Sequence, residues 1–153
     1  MLINQDFEEF FGLLNAHKVC YLLVGGYAVA FHGAPRYTGD IDIYYKRSPH
    51  NAKAILEALK DFGFGSLDLA ETDFMTHGRV VQLGQPPNRI DLINLIDGVE
   101  FASAWRSRVK DAYGEKPVFY IGKVPLLRNK RAAGRTKDLL DLERLQSQKK
   151  KVR

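Results

Sequence analysis

The run Val19-Cys20-Tyr21-Leu22-Leu23-Val24 stops at Gly25-Gly26, and thirteen residues later stands Asp40-Ile41-Asp42. No other stretch constrains the chain as strongly. Six β-prone residues halted by two glycines read as a buried strand. Asp40-Ile41-Asp42-Ile43 alternates strictly and reads as a second strand. Carboxylates at i and i+2 of a strand project from one face, with Cα atoms roughly 6.6–6.8 Å apart. Two such groups side by side are costly unless a cation sits between them. Oxygen donors without Cys or His favour a hard ion such as Mg²⁺. A strand that ends in Gly-Gly before a helix leaves backbone N–H groups directed outward, with no side chain in the way of phosphate oxygens. A phosphate cradle beside a divalent-metal platform is what phosphoryl or nucleotidyl transfer requires.

The remaining elements follow from periodicity. Phe7, Phe10, Phe11, Leu13 and Leu14 recur at helical spacing, which predicts an amphipathic helix over 5–17. Tyr27 to His32 reads as two helical turns ended by Gly33. Ser48-Pro49 is an N-cap followed by an N1 proline, opening a helix that carries Ala52, Ile55, Leu56 and Leu59 and closes near Gly63. Arg79 to Leu83 and Arg89 to Leu95 read as two strands joined across Gly84-Gln85-Pro86-Pro87-Asn88. Glu100 to Val109 reads as a short helix and Pro117 to Ile121 as a strand. Pro125 to Ala133 and Thr136 to Gln148 read as helices separated by Gly134. Helices with short strands, some in hairpins and some not, imply an α+β or mixed α/β architecture.

Composition sets the outer limits. A chain of 153 residues with 45% hydrophobic and 27% charged residues can build one core, which argues against global disorder. The single cysteine, Cys20, excludes an internal disulfide and favours a reducing compartment. The start MLINQDFEEFFGLL has acids where a signal peptide needs a basic region, so the expected location is cytoplasmic. Of the 23 Lys and Arg, 11 lie in residues 123–153 against three acids there, a segment of +8. The other 12 basic and 15 acidic residues leave residues 1–122 at −3. An acidic body with a basic C-terminal segment suits polyanionic partners. His17, His32, His50 and His77 lack metal-ligand spacing, and no P-loop, zinc motif or GxSxG elbow is present. Phe101 and Trp105, four apart, suit a helix face packed on the core.

Hydrophobic-Gly-Gly, a short helix and then Asp-hydrophobic-Asp resembles the signature of the DNA polymerase β-like nucleotidyltransferase superfamily. Arg36-Tyr37-Thr38-Gly39 and the block from Lys130 to Leu142 narrow the resemblance to the minimal nucleotidyltransferase proteins, including the AbiEii-like toxin–antitoxin group. It spans roughly residues 20–145 in three blocks. The fold it implies is α+β, with a small mixed sheet, helices packed mainly on one face and C-terminal helices closing the site. Residues 1–122 would form the nucleotidyltransferase core, 123–148 would complete the same domain, and 149–153 would be a basic tail.

The resemblance also implies roles. Asp40 and Asp42 would bind Mg²⁺ or Mn²⁺, and Asp91 in Arg89-Ile90-Asp91-Leu92-Ile93 would complete the metal site and help take a proton. Gly25 and Gly26 would hold the triphosphate of an NTP. Arg36 would approach the phosphates or brace its loop, and Lys130 would neutralise phosphate charge. Asp138 and Asp141 would orient basic residues rather than bind metal. Many superfamily members carry Ser after the first glycine, whereas Gly26 supplies no hydroxyl. The activity implied is metal-dependent transfer of a nucleoside monophosphate to a hydroxyl. Its acceptor is either an RNA, for instance a tRNA 3′ end, or a partner protein, and a cognate toxin or antitoxin is a possible partner. The alternative is a catalytically degenerate nucleotide-binding or antitoxin-type module. A protein that binds nucleic acid through its basic helices alone would leave the acidic pair unexplained.

Overall fold

The computed structural model describes residues 3–34 and 38–151. Arg36 lies outside the described residues, as do Val152 and Arg153 of the basic tail. The chain opens with α1 (Gln5–Ala16), whose start is capped by Asn4 Oδ1 accepting from the Phe7 N–H at 3.1 Å. β1 (Tyr21–Val24) runs directly into α2 (Gly25–Phe31), and β2 (Ile41–Tyr45) follows. α3 (Pro49–Leu59) begins as its sequence predicts, with Ser48 Oγ accepting from the Asn51 N–H at 3.2 Å and Pro49 in the first turn. A wider π-helical turn, Lys60–Phe64, and a tighter 3-10 turn, Gly65–Leu67, lead to α4 (Glu71–Met75). Then come β3 (Val81–Leu83), β4 (Ile90–Ile93), α5 (Phe101–Arg106), β5 (Val109–Tyr113) and β6 (Lys116–Tyr120). The chain finishes with α6 (Lys123–Ala133) and α7 (Thr136–Lys151).

The strands form one six-stranded mixed sheet in the order β3-β4-β2-β1-β6-β5. β1 pairs antiparallel with β2 and parallel with β6, while β2 pairs parallel with β4. β3–β4 and β5–β6 are the two hairpins. Because alternate residues face opposite sides, β1 divides its side chains between two cores. Tyr21 and Leu23 join Phe7, Phe10, Phe11 and Leu14 of α1 and Ile55 and Leu59 of α3 in the larger one. Leu22 and Val24 join Leu126 of α6 and Leu145 of α7 in the smaller one, together with Tyr44, Val99 and Ala104. The carboxylates of β2 and β4 therefore share their side of the sheet with the C-terminal helices. On the other side, the buried Asn51 amide ties α3 to the sheet: Oδ1 accepts from the Cys20 N–H at 2.8 Å, and Nδ2 donates to the Lys46 carbonyl at 2.8 Å.

Two elements differ from the sequence reading. The predicted helix Glu100–Val109 ends at Arg106, and Val109 opens β5 instead. β5 occupies the sheet edge with Lys110, Asp111 and Ala112 exposed, so it carries no hydrophobic alternation to reveal it. The five-residue α4 buries only Phe74, too short a pattern to register at helical period. Asp73 holds its start by accepting from the Ala70 N–H at 2.7 Å. Among the described residues no helix is long and apolar enough to cross a membrane.

Candidate functional site

Register brings the acids together. Asp42 of β2 lies opposite Val24 of β1 on one side and opposite Asp91 of β4 on the other. Neighbours paired in a sheet present their side chains to the same face, so Asp42 and Asp91 stand side by side and Asp40 lies two residues back from Asp42. Asp91 is buried, and Asp40 and Asp42 are half-buried. Gly25 stands against this group with a left-handed φ of +64°. A Cβ there would run into Asp42 Oδ2, so both the backbone conformation and the close approach demand glycine.

Arg89, two residues before Asp91, organises the cluster. Its Nε donates to Asp91 Oδ1 at 2.7 Å and its Nη2 to Asp91 Oδ2 at 3.1 Å, a two-pronged carboxylate grip. The same Nη2 lies 3.5 Å from Asp40 Oδ2, and the Arg89 backbone N–H donates to Asp40 Oδ1 at 3.0 Å. Asp42 has a different environment. Burial, then the charge of Asp91, push its carboxyl up to about 6, with Asp40 adding to the effect and Lys137 and Lys130 opposing it.

The opposite wall comes from the C-terminal helices. The Asp97-Gly98 turn brings the chain against α6, where a Cβ on Gly98 would sit 2.6 Å from the Ala132 Cβ. Asn129 Nδ2 secures the same contact by donating to the Asp97 carbonyl at 2.9 Å. Lys130 Nζ lies 3.3 Å from Asp138 Oδ1 and 3.2 Å from Asp141 Oδ2, with all three residues buried. Arg135 Nε meets Asp138 Oδ2 at 2.6 Å. Asp138 and Asp141 thus engage basic residues. Between the two walls lies a cleft of about 680 Å³, bordered by Gly25, Gly26, Asp40, Asp42, Asp91 and Lys130.

Every sequence-predicted site residue among those described therefore borders one cleft. Six further polar residues line it to which the sequence reading gave no site role: Thr38, Arg89, Asp97, Asn129, Arg135 and Lys137. Arg89 had a signal in its spacing from Asp91, two residues along one extended run and so on the same face. Arg135 and Lys137 are exposed, whereas Lys130 is already held by two acids.

The donor set suits a hard cation, and the crowding that raises Asp42 is the kind such an ion relieves. Among the described residues, however, no group of three or more His, Cys, Asp or Glu is already drawn together around a metal position. Arg89 supplies the positive charge to Asp40 and Asp91 instead. Asp40 and Asp42 are the carboxylates that could hold such an ion, with Asp91, gripped by Arg89, beside them.

No protein-family model matches the chain, and no curated protein matches it in sequence. A solved structure does share its architecture: the lincosamide antibiotic adenylyltransferase LnuA, in its lincomycin-bound form. The two superpose with a TM-score of 0.56 over 95% of this chain and 98% of that one, at 16% sequence identity. The α/β architecture with its mixed sheet is a nucleotidyltransferase fold. The likeness gives no support to the AbiEii-like subgroup.

Proposed function

We propose that this chain is a nucleotidyltransferase that moves a nucleoside monophosphate from an NTP to an acceptor hydroxyl. One observation carries the reading: Asp42 and Asp91 stand side by side on adjacent parallel strands, next to the Gly25-Gly26 turn in one cleft. The acceptor oxygen attacks the α-phosphorus, and a new P–O bond forms as the bond to the β-phosphate oxygen breaks. Pyrophosphate leaves with that electron pair, and the hydroxyl proton passes to Asp91. Mg²⁺ or Mn²⁺ held by Asp40, Asp42 and Asp91 would supply charge neutralisation for the triphosphate. Gly25 and Gly26 give its oxygens unobstructed backbone N–H donors. Exposed Arg135 and Lys137 face the charge that develops on pyrophosphate, and Lys130 adds a fixed positive field from behind. Catalysis by positioning and charge of this sort asks little covalent chemistry of the protein.

Labelled NTPs incubated with RNA or protein acceptors test the reading. Label transfer falls by about 10²–10³-fold in Asp40→Asn and Asp42→Asn, in line with the loss of charge-stabilising groups elsewhere. Equal transfer by wild type and both variants would refute it.

A second reading has a specific observation in its favour. Arg89 occupies Asp91 and Asp40 in the way a metal would, as in a degenerate module that binds a nucleotide or a partner protein without turnover. Calorimetric titration with Mn²⁺ separates the two. A transferase binds the ion with an affinity that Asp42→Asn abolishes, and a degenerate module binds none.

A further inference from the structure

A second cleft, of about 410 Å³, borders the first. β2 supplies both floors. Asp42 faces the first cleft and Tyr44 the second. These positions are two residues apart on one strand face, roughly 6.6–6.8 Å between Cα atoms. Leu95 lines both clefts and is 51% exposed, forming the low divide between them.

The lining of the second cleft falls into two chemical parts. Its wall is aromatic. Tyr44 meets Phe101 edge-on at 5.2 Å, and Phe101 stacks with Trp105 at 5.6 Å and an interplanar angle of 22°. Phe101 and Trp105 are only partly buried, with the Arg108 guanidinium 3.9 Å from the Trp105 ring. The rim carries exposed Lys46, Arg47 and His77, set against one acid, Glu100. Aromatic walls select a flat ring, which gains from stacking, and a cationic rim selects an anion attached to it. The volume falls in the range of small-molecule sites. The carboxylate cleft has the reverse character, with acids at its base and little ring surface.

We propose that this second cleft is the acceptor subsite and that it takes a ring bearing a phosphate. The ring lies against Phe101 and Trp105, and the phosphate meets Lys46 and Arg47. A hydroxyl of the same molecule then lies one strand step from Asp42. That chemistry comes either from a free mononucleotide or from the terminal nucleotide of a single-stranded RNA. The word acceptor rests on the nucleotidyl transfer proposed above, while the binding site stands apart from it.

The chain carries its own reporters, because its single Trp and single Cys, Trp105 and Cys20, both line this cleft. Uridine monophosphate is titrated into the full-length protein while Trp105 emission and the rate of maleimide labelling at Cys20 are followed. Both signals change together and saturate. Uridine without phosphate binds about ten-fold or more weakly, and so does uridine monophosphate to the Lys46→Ala/Arg47→Ala double variant. Asp42→Asn leaves the binding curve unchanged. A short oligouridylate that binds tighter than the mononucleotide assigns the source to RNA, and equal affinity assigns it to the free nucleotide. The proposal is overturned if neither reporter responds, if the rim variant binds as wild type does, or if Asp42→Asn removes the signal. The last outcome would put the probe in the carboxylate cleft. If binding follows expectation but label transfer is the same in wild type and Asp42→Asn, the transferase reading fails and the subsite survives as a binding site.

Discussion

The two walls of the main cleft are built from the same kinds of side chain and end in opposite electrostatic states. On the helical wall, Lys130 lies between Asp138 and Asp141, and Arg135 adds a second cation. Burial pushes the Asp138 carboxyl up, but the Arg135 hydrogen bond and the neighbouring Lys130 charge outweigh it and hold the group below its ordinary range. On the strand wall, three acids share Arg89, which grips Asp91 and touches Asp40, and Asp42 is pushed up to about 6. A saturated cluster joins α6 to α7. An unsaturated one, held open at a cleft, keeps more negative charge than Arg89 offsets. Charged groups alone therefore do not mark a site. The imbalance between acids and cations does.

Lys130→Met tests the saturated side. It strips the ammonium from two buried carboxylates, and denaturant unfolding is expected to show a loss of about 3–5 kcal/mol. A loss under about 1 kcal/mol would mean that apolar contacts such as Leu126 with Leu145 hold the helices, and the contrast would collapse.

Asp42→Asn is expected to move stability the other way. The folded protein holds the Asp42 proton more tightly than an unfolded chain does, because its carboxyl titrates near 6 rather than 3.8. The native state is therefore penalised as pH rises from about 4 through 6, by at most about 3 kcal/mol once the group is fully ionised without a cation. Asn removes that penalty. Thermal melts should show the variant more stable than wild type at pH 7, with the gain gone near pH 4. A less stable variant at pH 7 would show that Asp42 is already compensated.

Arg89→Gln sharpens the comparison further. With the guanidinium gone, Asp40 and Asp91 are left for an incoming ion, and Mn²⁺ affinity measured by calorimetry is expected to rise several-fold. Weaker binding would show that Arg89 orients Asp91 as a ligand rather than competing for it. The smallest effect is assigned to Arg135→Ala. Its side chain is 64% exposed and Lys130 still meets Asp138, so unfolding should change by no more than about 1 kcal/mol.

Much of this was legible before any fold was known, for local reasons. The strands that carry Asp40, Asp42 and Asp91 announce themselves through alternation, and Ser48-Pro49 marks the start of α3 through capping chemistry. β5 was not legible, because only its end residues Val109 and Tyr113 turn to the core, with Lys110, Asp111 and Ala112 exposed between them. Tyr44 donates its hydroxyl to the Val99 carbonyl at 2.9 Å and floors a cleft that only the packing of α5 creates.

From its sequence alone the chain determined which face each strand residue takes, where its glycines interrupt the backbone, and that two acids two apart share a side. Those properties are set by φ/ψ limits and a period of two, which act within a few residues. Tertiary structure decided that Asp91 stands beside Asp42, that Arg89 spans Asp91 and Asp40, and that Lys130 is enclosed by Asp138 and Asp141. The first two depend on the parallel register of β2 and β4, the third on the packing of α6 and α7. Burial and long-range pairing set how strongly charges act on one another, and neither is encoded in spacing along the chain.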